Sequence, residues 1–285
     1  MPVLLAIALH AEARPVIERF RLKQDASSGL PVFRRDEVWL TVTGTGSMKS
    51  AIATACLLSR LLNRVERDED TVLFNLGIAG HTLKAEEGPV SVGDRFLANK
   101  ITERSTGRSY FPDLLARTPL AESVVTTVER PLDRADAGTV EPGLVDMEAA
   151  GFYQAAATFL PPHRIGCVKV VSDHLETRRL DKNRVSELIA GTLDEFEAAV
   201  EAYRSIDDGE PDVLTDADLQ LVGDIRDRLR LTASRHRMLS DLARSYKLHT
   251  GSDLPDLTRF THVSVNTRQE GDAQFERLRG ILSVE

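Results

Sequence analysis

The sequence predicts an α/β fold: a single three-layer domain whose central, mixed and largely buried sheet is flanked by helices, followed by a mainly helical C-terminal appendage. Three observations predict it. Short apolar runs such as "VLLAIAL" (Val3–Leu9) and "TVLFNLGIAG" (Thr71–Gly80) alternate with stretches of helical period, the pattern of strands covered on both faces. The ends of those runs collect glycines and polar residues, where ligands gather in such sheets. Composition then changes after Tyr203, where the acidic stretch "SIDDGEPD" (Ser205–Asp212) reads as a linker. We therefore expect a first domain at residues 1–205 and an extension at 206–285.

Taken in order, Val3–Leu9 reads as a buried strand, and Pro15 suits the first turn of a helix carrying Val16, Ile17 and Phe20. Val38–Thr43 is a second strand closed by "TGTG" (Thr43–Gly46), with Ala51, Ile52, Ala55, Leu58 and Leu62 following at helical spacing. Thr71–Gly80, "SVGDRFLANKI" and "SVVTTVE" add strands, and "IGCVKVVSD" (Ile165–Asp173) is the last. Val185, Leu188, Ile189, Leu193, Phe196 and Val200 predict one amphipathic helix. In the appendage, Thr215 and Asp218 match a capping box, and Phe275, Leu278 and Ile281 mark a final helix. Arg226, Arg230, Arg237 and Arg244 form one stripe if their segment is a continuous helix, but Asp224, Asp227 and Asp241 interrupt it. A solvated face is the expected reading. The apolar positions of this region are expected to pack on the main domain, on another subunit or on a protein partner.

A net charge of −8 makes neither nucleic acid nor an anionic membrane the default partner. The two cysteines, Cys56 and Cys167, both read as core residues, with no disulfide ladder or zinc spacing. The N-terminal run lacks a basic start and a cleavage pattern, and no apolar stretch is long enough to span a bilayer. A soluble, cytoplasmic protein is expected.

Chemistry concentrates in "EPGLVDMEAAGF" (Glu141–Phe152), where a strand turns into a helix of small residues at Met147–Glu148. A carboxylate there offers two acceptor oxygens to a pair of adjacent hydroxyls, and a methionine offers a soft apolar surface. Asp173 ends an apolar strand, where a buried carboxyl is expensive to ionise and could hold a proton. Glu12 follows the first strand. Alone, each also reads as an ordinary helix-start residue.

Together, "AEA", "TGTG", "NLGIAG", "SVGD", "GLVDMEAA" and "VVSD" over residues 1–203 resemble the nucleoside phosphorylase/nucleosidase superfamily, most of all the methylthioadenosine/S-adenosylhomocysteine nucleosidases. The resemblance implies that Glu148 holds the ribose hydroxyls beside Met147. It implies that Asp173, oriented by Ser172, protonates the departing purine, and that Glu12 activates water. Ile78, Gly80 and Gly44 are implied as further substrate-binding positions. It implies hydrolysis of the N-glycosidic bond of a purine nucleoside, a 5′-modified adenosine, with release of adenine. No cofactor or metal is needed, and a homo-oligomer, a dimer, is the expected assembly.

Three features depart from that family. Ile78 stands where a serine is usual, Lys169 where an arginine is usual, and the aromatic stretch expected before "VDMEAA" is missing, which leaves Phe152 or Tyr153 as candidates to stack on the base. Two alternatives stay open: a phosphate-dependent phosphorylase using "TGTGS", and a non-catalytic nucleoside-binding protein acting through its helical tail.

Overall fold

The computed structural model describes every residue except 28, 63–70, 84–89, 177–180, 207–212, 264, 266 and 283–285. The chain forms two compact units, Met1–Ile206 and Asp207–Glu285. The expected linker at Ser205–Asp212 falls mostly outside the described residues.

In chain order the first unit runs β1 (Val3–Ile7), α1 (His10–Phe20), β2 (Lys23–Gln24), β3 (Val32–Arg35), β4 (Val38–Val42), α2 (Ser47–Leu62), β5 (Val72–His81), β6 (Arg95–Glu103), β7 (Ser109–Tyr110), β8 (Ala121–Thr127), β9 (Leu144–Asp146), α3 (Ala149–Ala156), β10 (Ile165–Asp173), α4 (Lys182–Ala190) and α5 (Leu193–Arg204). β1 lies between β4 and β5, parallel to both. β5 continues past β1, pairing with β10 in parallel and, at Gly80–His81, with β9 in antiparallel. Because β10 also pairs with β6, β6 with β8, and β8 with β9, the neighbours of β5 close a ring that returns to it. The sheet is mixed and buried, as expected. α2 and α3 cover one face through Leu57, Leu58, Ala150 and Phe152; α1, α4 and α5 cover the other through Val16, Ile189, Phe196 and Tyr203.

Several local expectations need correction. Pro15 lies inside α1 rather than in its first turn. Its missing N–H frees the carbonyl four residues back, and the Ser186 hydroxyl of α4 donates to that Ala11 oxygen at 2.5 Å. The apolar run from Val185 to Val200 is two helices, not one: Thr192 Oγ1 donates to Leu188 O and α4 stops at Gly191, while both helices face the same core. The hairpin strand β3 has no counterpart in the sequence reading. Cys167 is buried, but Cys56 is exposed.

The second unit packs α6 (Asp216–Leu229), α7 (Ala233–Thr250), α8 (Arg259–His262) and α9 (Arg268–Leu282) around Ile225, Leu239, Phe260 and Phe275. The expected capping box forms, with Asp218 N–H donating to Thr215 Oγ1 and Thr215 N–H to Asp218 Oδ2. Arg230, in the left-handed region (φ 52°), ends α6, and Thr232 caps α7. The four arginines therefore do not lie on one continuous helix. Among the described residues no helix is long and apolar enough to cross a membrane.

Candidate active site

The carboxyl ends of β1, β5, β9 and β10 bring the sequence-predicted residues to one region of the first unit. Glu12 sits in the first turn of α1, directly after β1, where the helix dipole favours an acid. Its Oε2 accepts from Leu9 N–H at 2.8 Å, as a helix-start acid does. Its Oε1 accepts from Ile78 N–H at 2.9 Å, 66 residues away on β5. The side chain is only 2% exposed, and burial raises its pKa against the pull of the Ile78 and Leu9 N–H groups and Lys169. Ile78 thus serves the site through its backbone, while its side chain packs toward the α1–α5 face.

Glu148 stands at the start of α3, and its Oε1 accepts from Gly46 N–H at 2.8 Å. Among the described residues, Gly46 N–H is the group that engages this carboxyl, through one of its two oxygens. Burial pushes the Glu148 carboxyl up to about 7, and the Asp146 charge adds to the rise. Gly44 N–H donates to Ala8 O, and Gly44 shapes the turn (φ +80°) that presents Gly46. The small residues after Glu148 have a definite purpose: a Cβ at Gly151 would fall 2.0 Å from Ser47 O, so only glycine lets α3 meet the start of α2.

Asp146 and Lys169 belong to the same cluster and were not singled out as site residues. Asp146 Oδ2 accepts from Glu148 N–H (3.1 Å) and Ala149 N–H (2.8 Å), capping α3, and pairs with Lys169 Nζ at 2.7 Å. Thr127 donates to its Oδ1. A lysine inside the apolar run "CVKVV" was the available signal, because a buried ammonium requires a buried partner.

Asp173 closes β10 beside Gly80, whose added Cβ would lie 3.3 Å from Asp173 Oδ1. The sequence suggested a buried carboxyl; Asp173 is half-buried, and both oxygens accept hydrogen bonds, from Ser172 Oγ at 2.6 Å and Leu175 N–H at 2.9 Å. Leu175 adopts φ 60°, unusual for a branched residue and typical of a constrained site loop. Glu12 lies against Gly77–Ile78 of β5, and Asp173 against Gly80 of the same strand. An apolar wall of Val128, Leu132, Val145 and Leu175, with half-buried Met147 packed on it, meets β5 at Gly80 through Leu175. Neither aromatic candidate joins this wall. Phe152 is fully buried in the core under α3, and Tyr153 is buried with its hydroxyl donating to Phe111 O. Among the described residues no group of three or more His, Cys, Asp or Glu side chains is arranged to hold a metal ion.

The first unit shares its fold with solved nucleosidase structures. The 5′-methylthioadenosine/S-adenosylhomocysteine nucleosidase of S. pneumoniae, solved with a transition-state inhibitor, matches with a TM-score of 0.57 at 18% identity over 71% of this chain and 99% of that one. The apo 5′-methylthioadenosine nucleosidase of Arabidopsis thaliana matches with a TM-score of 0.57 at 16% identity, over 74% and 98%. Futalosine hydrolase of Helicobacter pylori matches with a TM-score of 0.52 at 13% identity, over 70% and 97%. No protein-family model and no characterised protein matches the sequence itself. The nucleoside phosphorylase/nucleosidase fold is therefore common ground, while the substrate has to be argued from the site.

Proposed function

We propose that the first unit hydrolyses the N-glycosidic bond of a purine nucleoside, a 5′-modified adenosine, and releases adenine. The observation that carries this reading is that two carboxyls, Glu12 and Asp173, meet β5 within four residues, with a third, Glu148, in electrostatic reach of the first. That separation suits a nucleoside whose anomeric carbon faces Glu12 and whose base reaches Asp173. Glu148 receives the ribose hydroxyls, and Met147 lies against the sugar. Asp173 acts as the general acid, passing a proton to purine N7 as the C1′–N9 bond breaks and its electron pair passes to the base. The sugar gains oxocarbenium character, stabilised by the neighbouring carboxylates. Water gives a proton to Glu12 as its oxygen bonds to C1′, leaving free base and free sugar. A positioned base of this kind contributes about 10²–10⁴-fold.

Water is preferred over phosphate because the Gly46 N–H, the natural anion donor of the "TGTGS" turn, is already bonded to Glu148. The aliphatic wall of Val128, Leu132 and Leu175 supports a flat base held by dispersion rather than by ring stacking. A homodimer is part of the proposal. α2 exposes Met48, Ile52 and Cys56 at four-residue spacing, beside a hollow of about 410 Å³ lined by Leu30, Ala55 and Cys56.

The test is chromatographic detection of free base from methylthioadenosine, S-adenosylhomocysteine, 5′-deoxyadenosine, adenosine and inosine, with and without phosphate. Adenine released without phosphate is the expected result. Release only with phosphate would move the assignment to a phosphorylase, and binding without release would move it to a nucleoside-binding module.

A further inference from the structure

Three carboxyls and one ammonium share the buried floor of the site: Glu12 (2% exposed), Asp146 (5%), Glu148 (7%) and Lys169 (1%). Lys169 stands opposite Gly77 in the β5–β10 register. A Cβ at Gly77 would lie 3.6 Å from Lys169 Nζ and 3.1 Å from Glu12 Oε1, so the missing side chain is what admits both groups to one space. The direct ion pair of Lys169 is with Asp146, and Asp146 in turn holds the Glu148 and Ala149 N–H groups. Lys169 therefore touches the floor of the site at two points. Through Asp146 it fixes the backbone from which Glu148 projects, and at Gly77 it lies beside Glu12.

We infer that Lys169 is a positioning residue of the site, holding Asp146 against the first turn of α3 and serving as the common counter-charge of Glu12 and Glu148. The inference rests on the nucleosidase reading above and deepens it. The ammonium occupies the space left by Gly77 and meets Asp146 with one contact, and a guanidinium would bring the same charge to the same partners. The Lys169 charge lowers the pKa of both glutamates against the burial that raises them. Without it, Glu12 stays protonated to higher pH and cannot take a proton from water.

The experiment compares wild type with Lys169→Arg, Lys169→Met, Asp146→Asn and the double variant Lys169→Met/Asp146→Asn. The double variant removes both charges while keeping an acceptor for the α3 N–H groups, so it keeps the test open if Lys169→Met, with its unpaired buried Asp146, fails to fold. The readout is the acid limb of the kcat–pH profile, which reports groups of the bound state, where Glu148 is occupied by the sugar and Glu12 remains to titrate. We expect Lys169→Arg to stay within half a pH unit of wild type, on the order of the change a retained charge allows. The double variant should keep its fold and move the limb upward by about one unit. A double variant whose profile superimposes on wild type would reduce Lys169 to a structural ion pair and overturn the inference. If wild type releases no base, the nucleosidase reading fails first, and Lys169 is then judged by the pH dependence of Tm, which needs no turnover. Carboxyls whose folded pKa is raised retain protons that the unfolded chain has lost, so stability falls as pH rises from the ordinary glutamate range through their folded values. Losing Lys169 should enlarge the drop in Tm between about pH 5 and 8 in the double variant relative to Asp146→Asn, since both lack the Asp146 charge; an equal drop in the two would also overturn the inference.

Discussion

At the Gly77 end of the β5 segment, four ionisable side chains are buried together and depend on one another: Glu12 on α1, Asp146 on β9, Lys169 on β10 and Glu148 at the N-cap of α3. At the Gly80 end stands one half-buried carboxyl, Asp173, held by its own neighbours in the chain, Ser172 and Leu175. The first end is a long-range assembly in which any single change unbalances buried charge. The second is a local turn, positioned by the end of one strand. The Gly77 end is thus pre-organised at an electrostatic cost, while the Gly80 end is simple and half-exposed.

The largest effects should come from the carboxyls themselves. Asp173→Asn and Glu12→Gln are each expected to lower kcat for a purine nucleoside by about 10²–10⁴-fold, measured by base release. Their stabilities should differ. Asn can still accept from Leu175 N–H, whereas Gln offers one oxygen where Glu12 now meets both Leu9 and Ile78. Circular-dichroism melts of the two variants check this, and an equal Tm would contradict the contrast.

A pair of glycine substitutions sharpens the same comparison. At Gly151 a Cβ meets backbone, Ser47 O, and cannot be relieved by a rotamer change. Gly151→Ala should cost about 2 kcal/mol and lower Tm by roughly 4–8 °C in a unit of this size. At Gly80 the nearest atom is the flexible Leu175 Cδ2 at 2.7 Å, with Asp173 Oδ1 next. Gly80→Ala should leave Tm nearly unchanged yet reduce kcat by up to about 10²-fold through misplacement of Asp173.

How far this site could be read in advance follows the same division. Glu12, Glu148 and Asp173 were legible because each closes or follows a recognisable apolar strand and belongs to a motif. Asp146 was passed over, and Lys169 was read only as a departure from the family, because their meaning lies in each other, across the β9–β10 separation in sequence. Pro15 was misplaced for a similar reason: the hydroxyl that satisfies the carbonyl it frees is Ser186, far along the chain. Phe152 and Tyr153 looked available for a base because they follow Glu148, but the close approach of α3 to α2 turns them into the core. The strands and the flanking helices of the first unit were readable from periodicity, and the break between α4 and α5 was not, because both helices face one core.

A smaller effect concerns protons. With Glu148 titrating at about 7 in the free protein, hydroxyl donors from the sugar favour its ionised form, so binding should release protons near neutrality and hardly any at pH about 8.5. Calorimetry of a non-hydrolysable nucleoside analogue in two buffers of different ionisation enthalpy measures the number released. Proton uptake instead would contradict the assignment of Glu148 to the hydroxyls. The smallest effect is expected from the second unit. It has its own core, and a chain ending at Ile206 should retain base release within about threefold.

The division of labour along β5 is tested most directly by changing the leaving group. A nitrophenyl riboside needs no protonation at a purine nitrogen, whereas attack by water at C1′ is required for it as for a nucleoside. Asp173→Asn should therefore lose about 10²-fold or more on adenine nucleosides and less than about tenfold on the nitrophenyl substrate. Glu12→Gln should lose comparably on both. Equal losses for Asp173→Asn on the two substrates would mean that this carboxyl does not protonate the base, and the account built on the Gly77–Gly80 spacing would be wrong.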